Sequence, residues 1–402
     1  MNTLLKHATI VGAVLVLAAT GVPGVGADTP TPDNMSGPGG NVYAATNAVT
    51  GNAIRTFHRA QDGTLTLVGD TETGGTGSGT FEGSGNSVVL GSHAGESAPT
   101  NLIGGDRLLF ATNSGSDSVS VLRTSGDELE LVDVEPTGDH PISVTVSHGV
   151  VYVLNASASN CMGPAVAPSI TGYRLSAQGE LDPIPGSTRP VLGGAASGCT
   201  QVSFNPAGDV LAVTEKTADV IATYTVGADG LATGPIRNDS SGSGPFGFTF
   251  TQTGRLLTSE NFGGLPGQGA AASYDVNKDG TLSPVSGTVR NNRSDTCWIV
   301  LTDNQRFAYT TNAMSNDISS YRADSKGNLT LLQSVAAPAD ELPAPFVIPA
   351  DLTLSRNSHF LYVRNVQDGD LRAFSIGTDG SLTLVQAIPA ALPNGAVGVA
   401  SS

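Results

Sequence analysis

Apolar and polar residues alternate with period two in short runs along most of the chain. In the first such run Val42 and Ala44 fall on one side, and Tyr43 and Ala45 on the other. Runs of this kind read as strands with two distinct faces. Between them lie stretches rich in Gly, Asp, Ser and Asn, which read as hairpin turns. No helical period competes with this pattern.

The runs repeat as a phrase. An apolar strand ends in a polar residue, a turn follows, a second strand ends near an aromatic, and a Gly turn leads into a Leu-containing strand. Seven copies begin at Asn41, Arg107, Gly149, Asp209, Arg255, Arg306 and Phe360. Asn47 and Asn365 hold the same place in the first and last copies, so the repeat averages roughly 53 residues. Ahead of most copies lies one further apolar strand: Ile142–Val146, Gln201–Phe204, Phe246–Phe250, Trp298–Leu301 and Ala350–Leu354. Four strands per unit and seven units predict an all-β, seven-bladed β-propeller with four-stranded blades. A sandwich would not need seven like units, and a β-helix would have shorter rungs. The first copy lacks a preceding strand, because Gly-Pro-Gly-Gly stands before Asn41. The chain ends in an orphan strand, residues 395–400. The C-terminal strand is therefore expected to close the first blade, leaving no open sheet edge at the seam.

The ends add a location. Lys6 and His7 precede an apolar run, Ala8 to Ala19, that is short for a bilayer span, and Val25-Gly26-Ala27 suits a signal peptidase. Residues 1–27 are expected to be a signal peptide, 28–40 a flexible lead-in and 41–402 the propeller. The mature protein is then secreted, extracellular or in the cell envelope, without membrane insertion once the signal is cleaved. A monomer is expected. The sequence holds three cysteines, Cys161, Cys199 and Cys297. Cys161 falls after the second strand of the third blade and Cys199 just before the inner strand of the fourth. Both connections open on one face, and export permits oxidation, so a Cys161–Cys199 disulfide and a free Cys297 are expected.

Composition narrows the partners. Among 402 residues the formal net charge is −16. Such a surface repels phosphate backbones and anionic lipid, which argues against nucleic acid and membrane-surface partners. Asp275-x-Asn277-x-Asp279-Gly280 opens like a calcium loop, but Ser286 stands where the distal carboxylate belongs. The same place in other copies carries AQDGTL, GADGLA and GTDGSL, so it reads as a repeated turn. Gly74 to Gly79 resembles a phosphate cradle without its Lys or its helix, and reads as a flexible loop between blades. The histidines lack metal-ligand spacing, and no Gly-x-Ser-x-Gly elbow is present. No metal and no organic cofactor is expected.

In a propeller the second strands all end on one face. Those ends carry Asn47, Asn113, Asn155, Asn312 and Asn365, but also Glu215 and Glu260. The Asn residues suit turn satisfaction; the two glutamates break the pattern and are candidates for ligand contact. The inner strands start on that same face with His140, Gln201, Trp298 and Asp351. A small-molecule site is therefore expected at that channel mouth.

The phrases YAATN, IRTFHRAQDGTLTLV, VSFNPAGDVLAVTEK, PFGFTF, CWIVLTDNQRFAYTTN and LPNGAVGVASS resemble the lactonase-like propellers. That superfamily includes 6-phosphogluconolactonase and the fungal carboxymuconate lactonizing enzyme, and the likeness covers roughly residues 41–402. The resemblance implies metal-independent lactone ring opening or lactonization on a small acidic or sugar-derived lactone. It points to Glu215 as acid/base and His140 as its catalytic partner. The Arg that the family carries ahead of the Glu strand is replaced by Cys199-Thr200-Gln201. Lys216, Arg189, Arg290 or Arg293 would then anchor the acidic group, with Gln201, Glu260, Trp298 and Asp351 completing the substrate contacts. A cation, Lys216 or Arg293, is expected beside Glu215. The competing class is a non-catalytic exported propeller that binds a small molecule, glycan or protein at the same mouth.

Overall fold

The computed structural model describes residues 39–91, 107–163, 165–338, 347–393 and 395–402. Residues 1–27, expected to be a signal peptide, and nearly all of the expected lead-in lie outside the described residues. Strands dominate, and among the described residues the helical segments are three single-turn 3-10 pieces at Ser159–Cys161, Gly194–Ala196 and Phe262–Gly264. Seven antiparallel sheets form the seven blades of the ring. Their innermost strands are β4 (Val88–Gly91), β8 (Pro141–Ser147), β13 (Cys199–Phe204), β17 (Pro245–Phe250), β21 (Thr296–Leu301), β25 (Pro349–Leu354) and β29 (Val399–Ser401).

The first blade takes its inner strand from the C-terminus, as its missing strand predicts. Strand β1 (Gly40–Ala45) pairs with β29 through Val42↔Ser401, Tyr43↔Ala400 and Ala44↔Val399. The closing strand is shorter than residues 395–400 and lies slightly later. Gly395 and Gly398 adopt left-handed φ of 79° and 96°, which keeps the preceding residues in a turn. Two further details were not legible beforehand. The second blade draws its inner strand from Val88–Gly91, a run too short and Gly-flanked to stand out. The third blade replaces a single outer strand with β11 (Leu181–Pro183) and β12 (Arg189–Pro190), both pairing β10 (Ser169–Leu175).

The apolar core is layered between blades. One cluster joins Tyr152 and Leu154 of blade 3 to Val202, Phe204, Leu211 and Val213 of blade 4, all essentially solvent-free. The repeated phrase also stitches blades together. Tyr152, Tyr309 and Tyr362 occupy one repeat position, and each hydroxyl donates to the Gly carbonyl of the next blade's Asp-Gly turn. The acceptors are Gly230 at 2.8 Å, Gly380 at 2.9 Å and Gly63 at 3.1 Å. The last of these crosses the seam from blade 7 to blade 1. The Asp-Gly turn is held by its own aspartate: Asp62, Asp279 and Asp379 each accept from the backbone N–H two residues on at 3.0 Å. Asp279 therefore acts as a turn residue, in line with the repeat reading.

The cysteines pair as expected. Cys161 and Cys199 form a disulfide with Cα atoms 5.4 Å apart, and Cys297 is a buried free thiol.

Candidate functional site

Several ends of the second strands share one structural task. Asn113 Oδ1 accepts from the Thr73 hydroxyl at 2.7 Å, and Asn155 Oδ1 from the Gly138 N–H at 3.1 Å. Asn312 Oδ1 accepts from the Asn291 amide at 2.9 Å. Each partner sits in the connection arriving from the previous blade. Glu215 does the same work with a longer arm: its carboxylate accepts from Leu192 N at 2.9 Å and Gly193 N at 2.7 Å. Glu260 accepts from Gly242 N at 2.7 Å and the Ser240 hydroxyl at 3.3 Å. Both glutamates are fully buried, and burial raises the Glu260 pKa. The expectation that Glu215 stands beside a cation is corrected here, because its oxygens face backbone N–H groups.

The candidate cations are engaged elsewhere. Arg293 pairs with Asp317, which is 4% exposed. Arg290 stacks on Phe262 with its guanidinium carbon 3.9 Å from the ring centroid. Arg189 donates to the Ala232, Gly186 and Thr188 carbonyls. Lys216 Nζ lies 5.1 Å from the Phe246 centroid. Burial lowers the Lys216 pKa, an effect that nearby Cys297 and Asp295 oppose. The Cys297 thiol donates to Asp295 at 3.3 Å, and burial raises the pKa of both groups.

The expected channel mouth is filled. Residues 74–87, which include the Gly74–Gly79 stretch expected to be a flexible loop, run across it as a plug. Gly77 N and Gly79 N donate to Ala48 O and Asn47 O of blade 1 at 2.8 and 2.9 Å, and Gly115 N of blade 2 donates to Thr76 O at 3.0 Å. Asn160 of blade 3 donates its amide to Phe81 O at 2.8 Å, and Gly85 N reaches Thr200 O of blade 4 at 3.0 Å. The Trp298 indole N–H of blade 6 donates to Ser84 O at 2.9 Å. The glycines serve close approach. A Cβ on Gly77 would stand 2.2 Å from the Asn47 carbonyl carbon, and one on Gly85 would stand 2.5 Å from the Gln201 amide oxygen.

His140 belongs to this plug. Its Nε2 lies 2.8 Å from Glu82 Oε1, and the two side chains are 14% and 5% exposed. Burial alone would lower the imidazole pKa. Glu82, Asp139 and Asp117 outweigh it, so the pKa is raised. The Ser78 hydroxyl donates to that same Glu82 oxygen at 2.6 Å. Serine and imidazole both converge on the acid, which is not the serine-to-imidazole contact a nucleophilic triad requires.

Beneath the plug lies a channel cavity of ≈ 290 Å³. Gly85, Asn86 and Trp298 roof it, and its wall extends to the exposed Pro206 and Gln252 past the far ends of β13 and β17. Three expected residues do meet here: Gln201, Trp298 and Asp351. Gln201 is occupied by blade 5, donating to Phe248 O at 2.7 Å and accepting from Phe248 N at 3.0 Å. Asp351 sits at the seam. Its Oδ1 accepts from Leu352 N at 2.9 Å and its Oδ2 from Val399 N at 3.2 Å. Burial pushes its carboxyl up to about 7, against the pull of the Val399, Leu352 and Gly398 N–H groups. Glu215, Glu260, His140, Lys216 and Arg293 are not among the cavity-lining residues. Among the described residues, no group of three or more His, Cys, Asp and Glu side chains is placed to hold a metal ion.

The structure thus defines a seven-bladed propeller whose channel is stoppered at one end and carries, among the described residues, one buried acid within. The model of the lactonase seven-bladed β-propeller family matches residues 89–393, and the chain belongs to that family. No curated protein matches this sequence. Among solved structures, a protein from Bacteroides fragilis assigned as a 6-phosphogluconolactonase shares 17% identity at a TM-score of 0.66, with 90% of this chain and 98% of that chain covered. The periplasmic gluconolactonase of Pseudomonas aeruginosa shares 15% identity at 0.62, covering 90% and 99%. Hydrazine synthase of Kuenenia stuttgartiensis shares 13% at 0.51, covering 71% and 83%. Such distant likenesses establish the fold, and their different activities show that the fold alone does not choose a reaction.

Proposed function

We propose that this chain is an exported lactonase-like propeller that opens a small lactone ring by metal-independent hydrolysis. The observation that carries the reading is Asp351: a buried carboxyl, raised to about 7, on the wall of the channel cavity of a lactonase-family protein. A base of that pKa is well matched to neutral pH. In the proposed step Asp351 takes a proton from water. The water oxygen bonds to the lactone carbonyl carbon, the ring carbon–oxygen bond breaks, and the proton passes to the departing ring oxygen. One water is consumed and a hydroxy acid forms; its carboxyl group releases its proton to solvent, and the resulting carboxylate is repelled by the negatively charged protein.

Export is supported by the Cys161–Cys199 disulfide, a bond typical of oxidising compartments. Among the described residues no helix is long and apolar enough to cross a membrane.

One observation favours the binding reading instead. Glu215 is committed to two backbone N–H groups and Glu260 accepts one N–H and one hydroxyl on the same oxygen, so the carboxylates first expected to act on a ligand hold loops in place. Hydrolysis of a lactone panel by the mature protein and by Asp351→Asn separates the two. Turnover by the native protein that falls at least 100-fold in the variant supports the enzyme. Turnover that survives the substitution removes Asp351 from the mechanism, and no turnover of any lactone favours the binder.

A further inference from the structure

The charge pattern around the channel points to a ligand class opposite to the acidic one that the family resemblance suggests. Among the described residues lining the cavity, Asp351 is the only ionisable one, and none is Lys, Arg or His. The remaining wall is apolar side chains such as Phe248, Phe250, Ile299 and Leu352, interrupted by hydroxyls and amides. A phosphate or carboxylate entering here would lose its water and meet no cation, while facing a carboxyl and a net charge of −16. The cations that could have formed an anion clamp are held by Asp317, Phe262, backbone carbonyls and Phe246. At the opposite mouth, the imidazole of His140 is held by Glu82 within the plug.

We infer that the cavity admits an uncharged, predominantly apolar small molecule carrying one hydroxyl, ester or ketone oxygen, and excludes anionic sugars. It enters from the end marked by Pro206 and Gln252, since residues 74–87 close the other. Asp351 supplies the polar anchor. Its two oxygens receive backbone N–H groups and keep lone pairs that a ligand hydroxyl can use, and in its protonated form it donates to a carbonyl. At ≈ 290 Å³ the space matches the lower end of small-molecule pockets, so the ligand is about the size of a medium-chain alkyl lactone. The inference deepens the ring-opening reading by naming what its site takes, and rests on that reading only where turnover is measured.

Trp298 makes the test specific, because it is the only Trp in the chain and it lines the cavity. The mature protein is titrated, with Trp emission as readout, against an alkyl-substituted cyclopentanone, which mimics an alkyl lactone but cannot be hydrolysed. A parallel titration uses 6-phosphogluconate. In separate assays alkyl δ-lactones and 6-phosphogluconolactone are tested for hydrolysis. The inference expects a saturable emission change with the ketone at a concentration at least tenfold below any response to the phosphosugar acid. Equal or tighter binding of the phosphosugar acid, or no response to the ketone, overturns it. Hydrolysis of the phosphosugar lactone in preference to the alkyl lactones overturns it while leaving ring opening intact. Ketone binding without hydrolysis of any lactone removes the ring-opening reading and supports the assignment of the cavity.

Discussion

The imidazole of His140 and the carboxylate of Glu82 meet at 2.8 Å across the joint between blade 3 and the plug. Both are mostly buried, and the raised histidine pKa means that the folded state holds the proton more tightly than the unfolded chain. The resulting stabilisation is fully present below the unfolded histidine pKa, near 6.5, and is lost as pH rises through the higher folded value. An NMR titration of the imidazole C–H resonances should place the His140 midpoint above that of a free histidine. Glu82→Gln should lower it. A His140 midpoint unchanged by that substitution would show that the contact does not govern the proton.

Glu215→Gln should cost stability. The carboxylate accepts two backbone N–H groups without solvent, and an amide can offer only one oxygen while its NH₂ faces a donor. The penalty for such a mismatch is about 1–3 kcal/mol. Urea denaturation of the variant should show that loss, and activity per folded molecule should be retained. Lost turnover at unchanged stability would restore Glu215 as a catalytic residue.

Asp351 gives stability a pH dependence of the opposite origin from an ion pair. Its folded pKa, about 7, exceeds the ordinary carboxyl value of 3.8. Between these values the native state keeps a proton that the unfolded chain releases, so this contribution to stability declines as pH rises and levels off above 7. The decline is on the order of 4 kcal/mol if the whole shift is expressed. Asp351→Asn removes the titrating group. Relative to the native protein, the variant should therefore gain stability from pH 4 to pH 8. Parallel denaturation curves for the two proteins at both pH values would contradict the shift.

The Cys161–Cys199 bond spans 38 residues of sequence. Closing a loop of that length in the unfolded chain contributes about 4 kcal/mol on the chain-entropy model. Reduction, or the paired change to Ser, should lower the denaturation midpoint accordingly. Intact-mass measurement after alkylation without reductant should show one modified cysteine under denaturing conditions, namely Cys297.

The sequence by itself determined the ring. Seven copies of one phrase, a first copy lacking its inner strand and an orphan strand at the C-terminus together require seven blades closed by residues near 400, because a strand edge left unpaired is costly. The disulfide was legible for a similar reason: strand order places Cys161 and Cys199 on one face of neighbouring blades. The site was less legible. Glu215 and Glu260 depart from the Asn pattern in chemistry but not in task, since a Glu reaches the same incoming loop with a longer arm. Only the tertiary structure shows which atoms that arm meets. It also decided the course of residues 74–87, whose glycines carry no periodic signal and acquire meaning from the walls they approach. Asp351 was recognisable as a channel residue from its place at the start of β25. Its unusual proton affinity depends on desolvation and on N–H groups from the far end of the chain, and those are properties of packing that local sequence does not encode.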